Sequence, residues 1–199
     1  MSLVYVGASD PIQTSTWANL PAASSVAGKI YLVSNIGSGG SLWESNGTRW
    51  VPMFSRTTLI QDNTTYSLTG TLTETTLATV SIPGGLLSAN GQLSVISLWS
   101  CTNNANAKAM KIQVGSGYFA NITTTATNAV HNFSMIINAG ATNSQVAGNL
   151  ATAGFGSSSL TPATASVDTT ANWSFDFRAQ LVNIADNVSL ISYTVILGE

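Results

Sequence analysis

Charged residues are scarce in this chain, and their scarcity constrains what it can fold into more than any other feature. Asp, Glu, Lys and Arg together make up 7% of the 199 residues, against about 25% in an ordinary soluble domain. No formal charge occurs between Ile112 and Val167. Ser, Thr, Asn and Gly interrupt every apolar run, so no stretch approaches the roughly 18 residues that a membrane span requires. A surface of hydroxyls and amides repels its own copies weakly, and we therefore expect a self-associating protein without membrane insertion.

The totals argue against several classes of protein. The net charge of -2 and the scattered Lys and Arg residues lack the basic stripe of a nucleic-acid binder, so we expect no nucleic-acid partner. Cys101 is the only cysteine, which excludes an internal disulfide and a thiolate metal cluster. The first residues lack a basic segment followed by a long apolar core, so we expect no signal peptide and synthesis in the cytoplasm.

Alternation with a period of two predicts that the chain is all-β. In residues 173–178, Trp173, Phe175 and Phe177 share one face of a strand, and polar residues share the other. Residues 131–137 repeat the pattern, with Phe133, Met135 and Ile137 together. Residues 188–197 form a long β-branched run that predicts a central strand. Further strands are predicted at residues 92–101, 77–82 and 111–114. Short strands separated by turn clusters predict an antiparallel β-sandwich or jelly roll over residues 74–199.

The beginning of the chain differs from the rest. Residues 11–53 predict a small separate β module held by Trp17, Trp43 and Trp50, with Asn46-Gly47 as the turn of a hairpin. Residues 54–73 are polar and rich in Thr, which predicts a connector. The Gly-, Ala-, Ser- and Thr-rich stretch 139–167 fits a long loop of the sandwich better than a flexible linker, because a clear strand lies on either side.

Residues able to carry catalysis are few. His131 is the only histidine, so a Ser-His-Asp triad or a histidine-based metal site would have to use it. Its place on the face of Phe133 and Met135 favours a packed or interface residue instead. Asp168 and Asp176 are the nearest carboxylate pair, and Asp176 beside Arg178 indicates a solvated or cross-strand pair. We therefore predict no enzyme, no catalytic residue, no metal and no cofactor.

Two further sets of residues bear on binding. Lys108 and Lys111 are the only close basic pair, and they predict the protection of an edge strand. Tyr118 and Phe119 follow Gly117 and are candidates for contact with a glycan by stacking. The alternative is that they anchor their loop to the core.

Several segments resemble bacteriophage fibre and virion-appendage proteins. The N-terminal ones are Trp-Ala-Asn-Leu-Pro-Ala-Ala at 17–23, Gly-Lys-Ile-Tyr-Leu-Val at 28–33 and Leu-Trp-Glu-Ser-Asn-Gly-Thr-Arg-Trp-Val-Pro at 42–52. Further cues are Glu-Thr-Thr-Leu-Ala-Thr-Val-Ser-Ile-Pro-Gly-Gly at 74–85 and the segments 87–93 and 99–104. The resemblance implies a homotrimeric β appendage on a phage head or tail: a head fibre, decoration spike or short tail fibre. It carries over no catalytic residue.

These observations lead to ranked hypotheses. The first is a structural virion protein whose partners are its own copies and a capsid or tail protein. The second is a receptor-binding module that recognises host-surface glycan through distal loops, and the least favoured is a glycan-degrading enzyme. Residues 1–10 would be the anchoring segment, because Leu3, Val4, Tyr5 and Val6 have no turn partner and could add to the sheet edge of another virion protein. The alternative is a disordered terminus.

Overall fold

Antiparallel pairing of β-branched and aromatic segments makes the protein all-β, as the alternation predicted. The structure is a computed structural model, which describes residues 12–37, 39–54, 56–148 and 161–198. The chain divides into two compact units, residues 1–57 and 58–199. Within the described residues, no helix is long and apolar enough to cross a membrane.

The first unit contains one four-stranded sheet with the strands in chain order. Its strands are β1 (Gln13–Ser15), β2 (Ile30–Val33), β3 (Ser41–Ser45) and β4 (Trp50–Pro52). The β1–β2 pair is parallel, and the other pairs are antiparallel. Two short 3₁₀ turns, Trp17–Asn19 and Ala23–Ser25, fill the connection between β1 and β2.

Tryptophan rings hold this small unit together. Trp43 is fully buried, and its ring meets that of Trp17 edge to face at 4.8 Å. The Trp50 ring packs against Tyr31 at 5.1 Å, and its indole N–H donates to the Pro21 carbonyl at 3.0 Å. The predicted hairpin turn is present between β3 and β4, where Gly47 has a φ of +85° that only glycine adopts at low cost.

The remaining strands form two sheets. The strands are β5 (Arg56–Asp62), β6 (Tyr66–Thr69), β7 (Thr75–Ile82), β8 (Gln92–Cys101), β9 (Lys108–Val114), β10 (Gly117–Thr124), β11 (Ala129–Asn138), β12 (Gln145–Ala147), β13 (Ala163–Ala165), β14 (Trp173–Leu181) and β15 (Asn187–Gly198). The smaller sheet has the order β10-β9-β14-β7. The larger has seven strands in the order β13-β12-β11-β8-β15-β5, with β6 also paired to β15.

Aromatic contacts between the two sheets form the centre of a sandwich. Phe177 on β14 lies 4.8 Å from the Tyr193 ring and 6.1 Å from the Trp99 ring, on two strands of the larger sheet. Phe177 and Trp99 are at most 1% exposed. The alternation predicted for residues 173–178 is therefore confirmed, with its aromatic face directed inward.

Two stretches differ from the sequence-based expectation. The polar connector expected over 54–73 contains β5 and β6, both paired within the larger sheet. The stretch 139–167 contains β12, which pairs with β11 and β13 at the end of the same sheet. Because this pairing joins the stretch to the larger sheet, the stretch is a connection within the sandwich and not a linker between domains. Both differences arise because β5, β6 and β12 carry few large apolar residues, so their sequences show no clear alternation.

Candidate functional site: an uncharged outward face and two buried polar clusters

The larger sheet presents an apolar outward face on its three central strands. In β11 the odd-numbered residues from Ala129 point outward, and the alternate residues Asn132, Ser134 and Ile136 are buried. Phe133 is 44% exposed and Met135 is 39% exposed, as is Leu98 on the neighbouring strand β8. Large apolar side chains are thus left in water on strands that lie in the middle of a sheet.

Three hydrogen-bonded rungs organise this face across β11, β8 and β15. The register places His131 opposite Leu98, which lies opposite Ser192. The next two rungs are Phe133–Ile96–Thr194 and Met135–Ser94–Ile196. We call these nine residues the outward face; Ser94 is the one member that is buried, at 3% exposure. The outward face spans three adjacent strands, each about 4.8 Å from the next, and so forms a broad surface and not a narrow groove.

The outward face carries no Asp, Glu, Lys or Arg on its three strands, all of which lie within the described residues. His131 is the single titratable side chain among the nine, and it is exposed. The structure therefore excludes a core-packed role for His131 within one chain. Its interpretation as an interface residue stays a prediction.

Charge is concentrated instead on the opposite side of the sandwich. On the outer surface of the smaller sheet, the Glu74 carboxylate accepts a short hydrogen bond from Lys111 and a 2.9 Å bond from the Tyr118 hydroxyl. The Arg178 Nε lies 2.8 Å from the same carboxylate. The Lys111 ammonium also sits over the Tyr118 ring, 4.8 Å from its centroid.

The surroundings of Glu74 alter its ionisation. Partial burial raises the pKa of the carboxyl, but the hydrogen bonds from Lys111 and Tyr118 and the charges of Lys111 and Arg178 outweigh that effect. The pKa of Glu74 therefore lies below its ordinary value of 4.5. This cluster holds β7, β9, β10 and β14 together through an ionised carboxylate.

A second polar cluster joins the loop after β8 to the loop before β15. The Lys108 side chain is fully buried, and its ammonium donates to the Asn104 amide oxygen at 2.8 Å. The Asn104 amide donates in turn to the Asp186 carboxylate, and the Asn106 amide donates to the other carboxylate oxygen at 3.0 Å. Asp186 is 2% exposed. Both carboxylate oxygens are thus satisfied, and the network connects two loops across the fold.

These clusters correct two sequence-based interpretations. Lys108 and Lys111 do not protect an edge strand, because β9 lies inside its sheet and both side chains are buried in polar clusters. Arg178 pairs with Glu74 and Gln113, while Asp176 accepts a hydrogen bond from the Thr79 hydroxyl at 2.7 Å. The predicted Asp176–Arg178 pair is therefore wrong. Glu74 and Asp186 were missed because their partners lie 37 to 104 residues away in sequence and no local motif links them.

The predicted glycan contacts do not form an exposed loop. Phe119 lies within β10 and is 0% exposed, so glycan contact is wrong for this residue and the alternative, anchoring to the core, is confirmed. Tyr118 is half-buried, and its hydroxyl is engaged by Glu74. The predicted anchoring residues Leu3, Val4, Tyr5 and Val6 lie outside the described residues. The described part of the chain contains no group of three His, Cys, Asp or Glu side chains arranged to hold a metal.

Comparison of the sequence with protein-family models and with curated proteins gives no match.

Proposed function

We propose that this chain is a structural component of a tailed-bacteriophage virion, acting as a homotrimeric fibre or decoration spike docked through its N-terminus. The observation that carries the proposal is the outward face. Monomeric soluble proteins rarely leave a broad apolar surface in water, and such surfaces mark contacts with other proteins. A chain that presents one on the central strands of its main sheet is suited to assembly.

The low charge of the whole chain supports the same function. A net charge of -2 over 199 residues produces weak repulsion between copies, so close packing in a fibre or spike costs little electrostatic free energy. The resemblance of residues 17–23, 42–52 and 74–85 to phage appendage proteins supplies the setting, a virion assembled in the host cytoplasm.

Docking on the particle is assigned to residues 1–10. An extended apolar segment gains main-chain hydrogen bonds when it adds to an exposed sheet edge of another protein, and Leu3, Val4, Tyr5 and Val6 provide alternating side chains for that contact. The docking partner is a capsid or tail protein. The small Trp-bearing unit follows this segment directly in the chain.

Recognition of a host glycan is a weaker alternative on the described residues. A sugar-binding platform needs exposed aromatic faces with free polar groups around them. Of the two predicted residues, Phe119 is in the core and the Tyr118 ring is covered on one side by Lys111. Among the other described aromatic residues, we find no contact that favours glycan recognition over assembly.

The experiment that tests the proposed function is cryo-electron microscopy of purified particles, paired with mass spectrometry of their proteins. We expect the chain in purified virions, with three-fold density on the head or tail that fits the two-sheet sandwich. Virions that are complete and infective without the chain in their protein content would overturn the proposal. Density showing one copy per site would overturn its trimeric part.

A further inference from the structure

We propose that the outward face is covered by another copy of the same chain, and that Phe133 lies near the centre of this contact. This inference rests on the proposed function, because it identifies which surface forms the homotrimer. It assigns the contact to the rungs His131–Leu98–Ser192, Phe133–Ile96–Thr194 and Met135–Ser94–Ile196.

The inverted alternation of β11 is the first argument. Asn132 and Ser134 point into the sandwich and bond to each other at 3.1 Å, while Phe133 and Met135 point out. Within one chain this arrangement places amides and hydroxyls in the interior and large apolar groups in water. It becomes favourable when the outward side chains lose their water to a partner, at about 25 cal/mol for each Å² of apolar surface buried.

The second argument is the absence of Asp, Glu, Lys and Arg from β8, β11 and β15, while the charged residues of the larger sheet, Arg56 and Asp62, lie on β5. The outer side of the smaller sheet carries Glu74, Lys111, Asp176 and Arg178, whereas the outward face carries no Asp, Glu, Lys or Arg. Contacts between different proteins gain specificity from complementary charge, which this face cannot supply. Contacts between identical subunits are also more apolar than transient contacts between different proteins. An uncharged surface needs no oppositely charged partner, so the same surface of a second copy can pack against it without charge repulsion.

The chemistry of the face also disfavours a lipid surface. Segments that bind membranes peripherally combine apolar side chains with Lys or Arg that attract anionic headgroups. The nine residues of the outward face include no Lys and no Arg. Ser192 and Thr194, which are half-buried, instead supply hydroxyls that can pair with hydroxyls of another copy.

The test compares two single substitutions that add the same charge to opposite sides of the sandwich. Phe133→Asp puts a carboxylate on the outward face. Ser174→Asp puts one on the exposed outer side of β14 and is the matched control. Each variant is measured by light scattering at the same micromolar concentration, with circular dichroism as a check of folding. We expect trimer mass for the wild type and for Ser174→Asp, and monomer mass for a folded Phe133→Asp.

A proximity measurement covers the case in which Phe133→Asp fails to fold. In a Cys101→Ser background, Met135→Cys is treated with a short bis-maleimide. Covalently linked copies are expected, and Ser174→Cys in the same background is expected to stay unlinked. Linking at Ser174 but not at Met135 would overturn the assignment.

The outcomes separate this inference from the proposed function. A trimeric wild type with a folded, trimeric Phe133→Asp overturns the interface and leaves the trimeric virion protein intact. A monomeric wild type overturns both the interface and the trimer. A monomeric wild type whose Phe133→Asp variant no longer loads onto particles would assign the face to another virion protein and so also overturns the inference.

Discussion

Phe133 lies opposite Ile96 across β11 and β8, and both side chains point away from the interior of the sandwich. The neighbouring pair, Asn132 and Ser97, points inward and is buried. Phe133 and Met135 thus point to the surface in the middle of a sheet, whereas Val130 and Ile136 of the same strand are buried. We infer that the outward apolar side chains become buried only when the folded chain assembles with a partner.

His131 should be dispensable for chemistry. It lies opposite Leu98 on the outward face, and no acid or base accompanies it there. We therefore expect His131→Gln to fold, assemble, load onto particles and preserve infectivity in a plaque assay. His131→Glu, which adds a charge at the same position, should weaken assembly and serves as the contrast. Loss of infectivity by His131→Gln particles that are correctly assembled and loaded would indicate a chemical role.

Glu74 should stabilise the sandwich in a pH-dependent way. Its folded-state pKa is lowered, so the stabilisation is present above the ordinary value of 4.5 and is lost as pH falls through the lower folded value. Glu74→Gln removes hydrogen bonds from charged partners, and we expect it to cost about 1–3 kcal/mol at pH 7. Urea unfolding should show that the difference from wild type shrinks in strongly acidic buffer.

Asp176→Asn is the matched control for Glu74. Its carboxylate lies on the same outer surface and accepts a hydrogen bond from the neutral Thr79 hydroxyl. We expect a smaller loss of stability from this substitution. An equal difference between wild type and Glu74→Gln at neutral and strongly acidic pH would contradict the assigned role of Glu74.

The buried Asp186 network should be sensitive to the loss of one member. Asp186→Ala removes the acceptor of the Asn104 and Asn106 amides, and with it the carboxylate to which the buried Lys108 ammonium is linked through Asn104. Breaking a buried charged network in this way costs about 3–5 kcal/mol. The double variant Asp186→Leu/Lys108→Met should recover much of that loss, measured by urea unfolding. A strictly additive effect of the two substitutions would show that these side chains are not coupled.

Deletion of residues 1–10 should separate docking from assembly. The deleted segment carries the proposed anchoring residues Leu3, Val4, Tyr5 and Val6, whereas the outward face lies far along the chain on β8, β11 and β15. We expect a folded trimer that no longer binds particles lacking the native protein, measured by co-sedimentation. Decoration by the truncated protein at the wild-type level would place the anchor elsewhere in the chain.

The sequence predicts elements whose pattern is local. Alternation in residues 173–178 identifies β14 and its inward face, because the three large aromatic side chains Trp173, Phe175 and Phe177 share one face and must be buried together. Asn46-Gly47 identifies the hairpin of the first unit, since its turn geometry depends on two adjacent residues.

The missed features depend on distant residues. Alternation in β11 shows which residues share a face, but only the rest of the sheet decides which face is inside. Lys108 and Lys111 are expected in water by their type, yet Asn104, Asp186 and Glu74 make their burial tolerable. β5 and β6 lack a strong pattern and are strands because β15 pairs with them. Such compensation arises from tertiary contacts and leaves no local signal.

The decisive measurement is the mass of the wild-type protein in solution. We predict that light scattering at micromolar concentration and neutral pH gives three times the 20.6 kDa chain mass, because the outward face is buried between copies. A stable mass of a single chain under these conditions would contradict the claim that this protein is built to assemble with itself.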